Sequence, residues 1–231
     1  MSNRDAFLAR VRQAADQGRQ YRVHLQEVGA EIGYVGAGGD LALRFAEEVN
    51  AVGGQAFVVG SVAEARAKLG ELLTADKASS AVCWQLELLK RLGVREMLTA
   101  AKVDVLDWER LQALAVAEQR QRLLACDVGI TSCDMAIAET GTLMMCARPG
   151  QERLASLLAP IHIAVVERRQ IVPDLIDAFN WLQRGEANDL PCNVTFITGP
   201  SKTGDIELQL TTGVHGPGVW QVIIIDEQDN R

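Results

Sequence analysis

The sequence has few of the features that mark membrane, secreted or fibrous proteins. Aromatic residues make up 5% of the 231 positions, and the 20 Gly and 6 Pro are too few for a low-complexity or collagen-like chain. No apolar run approaches the roughly 18 residues of a membrane span, and the first residues show no apolar core of a signal peptide. We therefore expect a soluble, globular, cytoplasmic protein.

Basic charge and metal-binding motifs are also scarce. The 23 Lys and Arg against 30 Asp and Glu give a net charge of −7, which argues against a generally basic nucleic-acid surface. The five cysteines are widely spaced and odd in number, which predicts free thiols in a reducing compartment. Neither CxxC nor HExxH occurs, so no zinc or iron–sulfur site is evident in this chain.

Strand and helix patterns alternate along most of the chain. After a first helix over about 20 residues, Asp40 and Ser61 are predicted N-caps of two amphipathic helices. Continuous apolar strands at 161–166 and 222–225 are typical of a sheet covered on both faces. The order predicts an α/β layer fold with a mostly parallel sheet. We assign residues 1–34 to an N-terminal helical extension and 35–231 to one α/β domain.

Apolar spacing in the middle of the chain predicts further elements. The longest predicted helix covers 109–124, and shorter helices are predicted at 149–158 and 173–184. Strands are predicted at 142–147 and 193–198, next to the polar segments considered below. Two glycine-rich stretches fail as nucleotide motifs, because Leu41 replaces the last glycine of a dinucleotide fingerprint and Gly199–Thr203 lacks P-loop spacing.

The first segment with candidate chemistry is Ala138-Glu139-Thr140-Gly141-Thr142, which precedes a predicted buried strand. Gly141 lets the backbone turn tightly or approach a ligand closely. Thr140 and Thr142 supply hydroxyl donors and acceptors beside the Glu139 carboxylate. A turn in which Glu139 caps backbone N–H groups is the structural alternative.

The second segment runs from Ile197 to Glu207 and is followed by Gly213–Gly218. Ser201, Lys202 and Thr203 supply two hydroxyls and a cation on a loop that suits a carboxylate, phosphate or diphosphate. The loop follows a predicted strand, and α/β proteins usually bind ligands beyond the carboxyl ends of strands.

Acid–base groups accompany this loop. Asp205 and Glu207 are two residues apart, and His215 lies in a glycine-rich stretch where little bulk shields it. A histidine in such a place can act as an acid, a base or a polar contact. A hydrogen-bonded histidine in a glycine-rich loop is the alternative.

Taken together, these segments resemble the lactate-utilisation protein C family, which carries the LUD domain. The matching residues are Ala136–Thr142, Thr198–Ser201, Thr203–Glu207 and Gly213–Pro217, in the family's order. Gly204 departs from the family, which more often has alanine there. The match is strong in the C-terminal half and is one of general layout in the N-terminal half.

The resemblance implies a three-layer α/β/α fold, like that of ribose-phosphate isomerase, glucosamine-phosphate deaminase and the CoA transferases. It also implies a subunit of an L-lactate utilisation system, which oxidises L-lactate to pyruvate beside two partner proteins that carry the iron–sulfur clusters. No cofactor is evident in this chain itself. Whether the subunit is catalytic is left open by the resemblance.

These observations define a site hypothesis. Ser201, Lys202 and Thr203 bind a small anion, His215 takes the hydroxyl proton of lactate, and Glu139 or Asp205 orients it. The remaining predicted site residues surround the anion: Thr140, Gly141, Thr142, Gly199, Glu207 and Gly216.

Two other functions stay open. The first is an independent enzyme acting on a phosphorylated sugar or an acyl-CoA. Glu139-Thr140-Gly141 has the Glu-x-Gly form found in CoA transferases, so Glu139 would be the nucleophile of acyl transfer. The second is a non-catalytic assembly or binding module.

Trp220 and the other three tryptophans are expected to be core or interface anchors.

Overall fold

The computed structural model describes residues 3–19, 36–184, 191–204 and 211–227. The chain divides into two compact units, Met1–Val35 and Gly36–Arg231. In the first unit the structure describes the helix α1 (Asn3–Arg19), whose apolar residues Phe7, Leu8 and Val11 are exposed. The sheets and cavities described below belong to the second unit.

Six parallel strands form the central sheet of the second unit. They are β1 (Gln55–Val59), β2 (Ser80–Cys83), β3 (Asp104–Leu106), β4 (Val128–Thr131), β7 (Ile161–Glu167) and β12 (Val219–Ile225). Their order in the sheet is β1-β12-β7-β4-β2-β3, and helices cover both sides. The two strands with continuous apolar sequences, β7 and β12, pair at the inside of the sheet, where both faces are buried. The predicted α/β fold with a mostly parallel sheet is confirmed.

A second, smaller sheet contains the strands next to the predicted site. It consists of β5 (Met135–Ile137), β6 (Thr142–Cys146), β8 (Ile171–Val172) and β9 (Val194–Ile197), in the order β8-β5-β6-β9. Strand β6 runs antiparallel to both β5 and β9. The short strands β10 (Lys202–Thr203) and β11 (Thr211–Thr212) pair antiparallel beyond it. The apolar patterns predicted β6 and β9 but not their separation from the parallel sheet.

The helices include two that begin at capping residues predicted from the sequence. In the second unit they are α2 (Leu41–Ala51), α3 (Val62–Ala75), α4 (Glu87–Arg91), α5 (Val94–Ala100), α6 (Trp108–Gln112), α7 (Val116–Leu124) and α8 (Leu175–Gln183). The Asp40 carboxylate accepts from the backbone N–H of Ala42 at 2.9 Å, and Ser61 Oγ accepts from that of Glu64 at 3.2 Å. Over the described ranges, none of the helices is long and apolar enough to cross a membrane.

Two helix predictions are wrong. The predicted helix 109–124 is two short helices, α6 and α7, because Ala115 between them is extended, with ψ of 147°. Val116 is 81% exposed, so the apolar spacing does not form one continuous buried stripe. The predicted helix 149–158 contains one turn of 3-10 helix, Arg153–Ser156, and Gly150 before it has a left-handed φ of 79°.

The five cysteines are free thiols, as predicted, and all except Cys192 are buried. Burial raises the pKa of Cys83 to about 12 and that of Cys126 to about 11. These thiols therefore stay protonated at neutral pH and pack as small core residues.

Candidate functional site

The first predicted segment is the turn of a hairpin between β5 and β6. Ile137 pairs with Thr142 across the turn, and Gly141 has a left-handed φ of 63°. A Cβ at Gly141 would lie 2.6 Å from the backbone nitrogen of Val49, so this turn packs directly against the backbone of α2. Glycine is therefore required here both for the backbone angle and for the close approach.

A chain of threonine hydroxyls joins this turn to the second predicted segment. Thr140 Oγ1 lies 2.7 Å from Thr142 Oγ1, which lies 2.7 Å from Thr198 Oγ1. Thr142 begins β6 and Thr198 follows β9, and these strands are antiparallel neighbours in the smaller sheet. The pairing brings together two motifs whose threonines are 56 residues apart in the sequence.

Backbone hydrogen bonds join the two parts of the second segment. The N–H of Ser201 donates to the carbonyl of Pro217 at 2.8 Å, and the N–H of Gly213 donates to the carbonyl of Ser201 at 2.9 Å. These bonds hold the stretch that contains His215 beside the loop that contains Ser201. The predicted residues Asp205 and Glu207 lie outside the described residues.

A cavity of about 210 Å³ lies where these segments meet the parallel sheet. Four predicted site residues line it, Gly199, Ser201, His215 and Gly216, together with Thr198 at the end of the hydroxyl chain. His215 is exposed, whereas Ser201 and Gly216 are half-buried. The cavity therefore has a mouth open to solvent near His215.

Two buried residues of the wall are absent from the sequence prediction. His162 and Trp220 pair in register near the amino ends of β7 and β12 and are 1% and 2% exposed. Paired residues of neighbouring strands lie on the same face of a sheet, so both side chains reach the cavity side by side. The one sequence signal for this site was a histidine inside an otherwise apolar strand.

The polar atoms of this pair are only partly satisfied. His162 Nε2 lies 2.8 Å from Thr131 Oγ1, and burial lowers the pKa of His162 to about 3, so the imidazole is neutral at physiological pH. Within the part of the chain that the structure describes, His162 Nδ1 and Trp220 Nε1 are buried without a hydrogen-bond partner.

Other predicted residues lie elsewhere. Lys202 Nζ donates to the carbonyl of Val52 at 2.5 Å, where a cation offsets the partial negative charge at the end of α2. Thr203 pairs with Thr211 between β10 and β11. Glu139 is half-buried, and its N–H donates to the carbonyl of Pro173 at 3.2 Å. Glu139, Lys202 and Thr203 are outside the cavity wall that the described residues form.

With this geometry in view, comparison with known proteins identifies the family. The model of the LUD domain matches residues 42–225. The chain belongs to the LUD domain family. It is 32% identical over 162 residues to the lactate utilization protein C of Shouchella clausii, covering 69% of this chain and 68% of that protein. It is 28% identical, with the same coverage, to the lactate utilization protein C of Halalkalibacterium halodurans. The predicted resemblance is thus confirmed.

A solved structure supports the LUD domain fold. The crystal structure of a DUF162 family protein from Deinococcus radiodurans covers 80% of this chain, and this chain covers 96% of that one, with a TM-score of 0.58 and 24% sequence identity. At this identity the likeness concerns the fold alone. The matched LUD domain residues contain both sheets and the whole cavity wall.

The position of the cavity in this LUD domain differs from the expected one. The predicted loop follows the carboxyl end of β9, but β9 belongs to the smaller sheet, and the cavity lies at the amino ends of β7 and β12. A larger cavity, of about 470 Å³, lies at the carboxyl ends of β2 and β3, where α/β proteins usually bind ligands. Arg95 and Asp107 form an ion pair in its wall, and it contains none of the predicted site residues.

The chemistry of the smaller cavity follows from its side chains. Hydroxyl, imidazole and indole groups line it with apolar residues, and among the described residues no Asp, Glu, Lys or Arg contributes to the wall. Over the described ranges, no three His, Cys, Asp or Glu side chains are grouped so that they hold a metal ion. The arrangement suits hydrogen bonding to a small polar molecule, with His215 at the mouth able to exchange a proton.

Proposed function

We propose that this chain is a subunit of a system that oxidises L-lactate to pyruvate, and that it acts with partner proteins that carry iron–sulfur clusters. Its relatives are named for lactate utilisation. The observation that carries the proposal is that two of the family motifs, Thr198–Ser201 and Gly213–Pro217, share the wall of one cavity, while Thr142 of a third motif hydrogen-bonds to Thr198 of that wall.

The size of the cavity favours a small acid over the alternative substrates. The volume of the cavity is about 210 Å³. It is below the roughly 300–1,000 Å³ of pockets for drug-sized ligands, whereas a three-carbon acid fits. Glu139, the nucleophile of the acyl-transfer alternative, lies outside the wall.

The residues at hand suit the first step of this oxidation. Conversion of L-lactate to pyruvate removes two protons and two electrons from the hydroxyl group and its carbon. In the proposal His215, at the exposed mouth, accepts the hydroxyl proton while the wall holds the acid. The two electrons and the second proton, which leaves from the carbon, pass to the partner proteins.

The test is reconstitution of the oxidation from the chain and the partners that co-purify with it. L-Lactate turnover with an artificial acceptor should require this chain, and His215→Ala should lower the rate at least about tenfold, since general base catalysis contributes about 10²–10⁴-fold. Glu118→Ala, on the exposed side of α7, is the control and should retain the wild-type rate.

Two results would contradict this function. The first is lactate oxidation by the partners that is the same with and without the chain. The second is turnover of a phosphorylated sugar or an acyl-CoA by the chain alone. If removal of the chain abolishes oxidation but His215→Ala has no effect, the chain is an assembly module and His215 has no part in the reaction.

A further inference from the structure

Trp220 has a fixed orientation and a hydrogen-bond donor that is not used. A Cβ at Gly54 would lie 2.5 Å from Cε3 and 3.0 Å from Cζ3 of the indole, so this edge of the ring packs against the backbone before β1. The Nε1 atom is on the opposite long edge of the indole, and it is buried without a partner among the described residues. An indole nitrogen can only donate, so the missing partner is an acceptor.

Two more polar groups stand beside this donor. His162 neighbours Trp220 in register, and its bond to Thr131 leaves Nδ1 without a partner among the described residues. Ser201 is held by its backbone bonds to Pro217 and Gly213, so its hydroxyl is not needed to keep the loop in place. The cavity wall therefore contains one donor without an acceptor among the described residues, the indole N–H of Trp220, next to a serine hydroxyl that its loop does not need.

The composition of the wall limits the charge of a ligand. A cation or an amine finds no carboxylate in the described wall to offset the cost of its desolvation. A phosphate dianion would enter without a Lys or Arg to offset its two charges. A monocarboxylate has one charge and several acceptor oxygens, and its short alkyl part matches the apolar side chains of Leu157 and Ile197.

We propose that this cavity is the binding site for a short 2-hydroxy or 2-oxo monocarboxylate, whose oxygens accept hydrogen bonds from Trp220 Nε1 and Ser201 Oγ. The choice of L-lactate and pyruvate as members of this class rests on the proposed function. The class itself rests on the donors, volume and charge of the wall.

The experiment measures binding to the purified full chain by isothermal titration calorimetry. The probes are L-lactate, pyruvate, propionate and inorganic phosphate. Trp220→Phe removes the N–H group and keeps an aromatic ring, and Ser201→Ala removes the hydroxyl from a loop held by its backbone. Trp84→Phe is the matched control, because Trp84 Nε1 donates to the carbonyl of Glu152 at 3.0 Å, away from this cavity. Thermal unfolding of each variant verifies that it folds.

L-Lactate and pyruvate should bind to the wild type, and Trp220→Phe and Ser201→Ala should each weaken binding about tenfold or more, as expected for a hydrogen bond to a charged group. Propionate, which lacks the second oxygen-bearing group, should bind at least about tenfold more weakly than L-lactate. Trp84→Phe should stay within about twofold of the wild type. Should Trp220→Phe not fold, Ser201→Ala still decides the question.

Three outcomes would overturn the assignment: acid binding that neither Trp220→Phe nor Ser201→Ala weakens, phosphate binding tighter than that of the acids, or no acid binding by the chain alone or with its partners. These failures differ from failure of the proposed function. If reconstituted lactate oxidation needs the chain but neither substitution changes its rate, only the assignment of the binding site is refuted. Acid binding with the expected variant effects, in a chain that lactate oxidation does not need, refutes only the function.

Discussion

The burial of His162 makes the stability of the protein depend on pH in a way that one substitution should remove. Burial lowers the pKa of His162 from 6.5 to about 3, while in the unfolded chain the residue keeps its ordinary value of about 6.5. Between these values the unfolded chain binds a proton that the native protein does not bind. The free energy of unfolding therefore falls as the pH falls from about 6.5 toward 3. From pH 7 to pH 5 this residue alone should cost about 2 kcal/mol, at about 1.36 kcal/mol per pH unit.

The variant His162→Gln tests this value. The amide nitrogen of glutamine takes the place of Nε2 beside Thr131 Oγ1 and does not titrate. Urea unfolding followed by circular dichroism gives the free energy of unfolding at pH 7 and at pH 5 for both proteins. The loss between the two pH values should be about 2 kcal/mol smaller in the variant, because all other titrating groups contribute equally and cancel.

The prediction is refuted if the wild type and His162→Gln lose the same free energy of unfolding between pH 7 and pH 5, to within about 0.5 kcal/mol. That margin is near the error of extrapolation from urea unfolding. His162 would then be either charged or open to solvent in the native protein. The neutral polar wall beside Trp220 would be wrong, and a charged His162 would offer a doubly charged ligand a cation that the described wall otherwise lacks.

Three further predictions concern the neighbouring contacts. Gly141→Ala should lower the free energy of unfolding by about 3 kcal/mol, because Gly141 has a left-handed backbone and an added Cβ would clash with α2. Gly38→Ala is the control and should change it by less than about 0.5 kcal/mol, because a Cβ there meets open space. Equal effects of the two substitutions in chemical denaturation would contradict this packing. A double-mutant cycle of Thr142→Val and Thr198→Val should show a coupling of about 1 kcal/mol, and zero coupling would mean that the two hydroxyls do not bond. Lys202→Met should lower the free energy of unfolding by less than about 1 kcal/mol and leave the affinity for L-lactate within about twofold of the wild type. A tenfold loss of L-lactate affinity in calorimetry would instead support Lys202 as the anion-binding residue.

Local signals in the sequence predicted the parts of the fold that depend on near neighbours. Asp40 and Ser61 cap α2 and α3 as expected, because an N-cap depends on a side chain and on backbone N–H groups within three positions of it. The helix predicted over 109–124 has suitable apolar spacing but divides in two at Ala115, where the backbone is extended, and Val116 after it faces solvent. Apolar spacing shows which face a helix offers for burial, whereas the surrounding elements decide whether that face is covered.

The candidate site divides in the same way. Ser201 and His215 belong to motifs visible in the sequence, and they line the cavity. His162 and Trp220 belong to apolar strands whose sequences are well explained by packing, and the one local signal is that His162 is a histidine in such a strand. Their pairing across β7 and β12 gives them a shared surface, and only that pairing shows two polar groups side by side.

The sequence by itself determined the α/β class, the helix caps, most of the strands and the family, because each of these depends on short patterns or on motif order. The tertiary structure alone decided the strand order, the division into two sheets and the position of the cavity at the amino edge of the parallel sheet. It also decided that Thr142 bonds Thr198 and that Lys202 binds the end of α2. These contacts join residues that are far apart in the chain. Local patterns show that a segment forms a strand, but they only restrict which distant strand it pairs with, and for this reason the tertiary structure was needed.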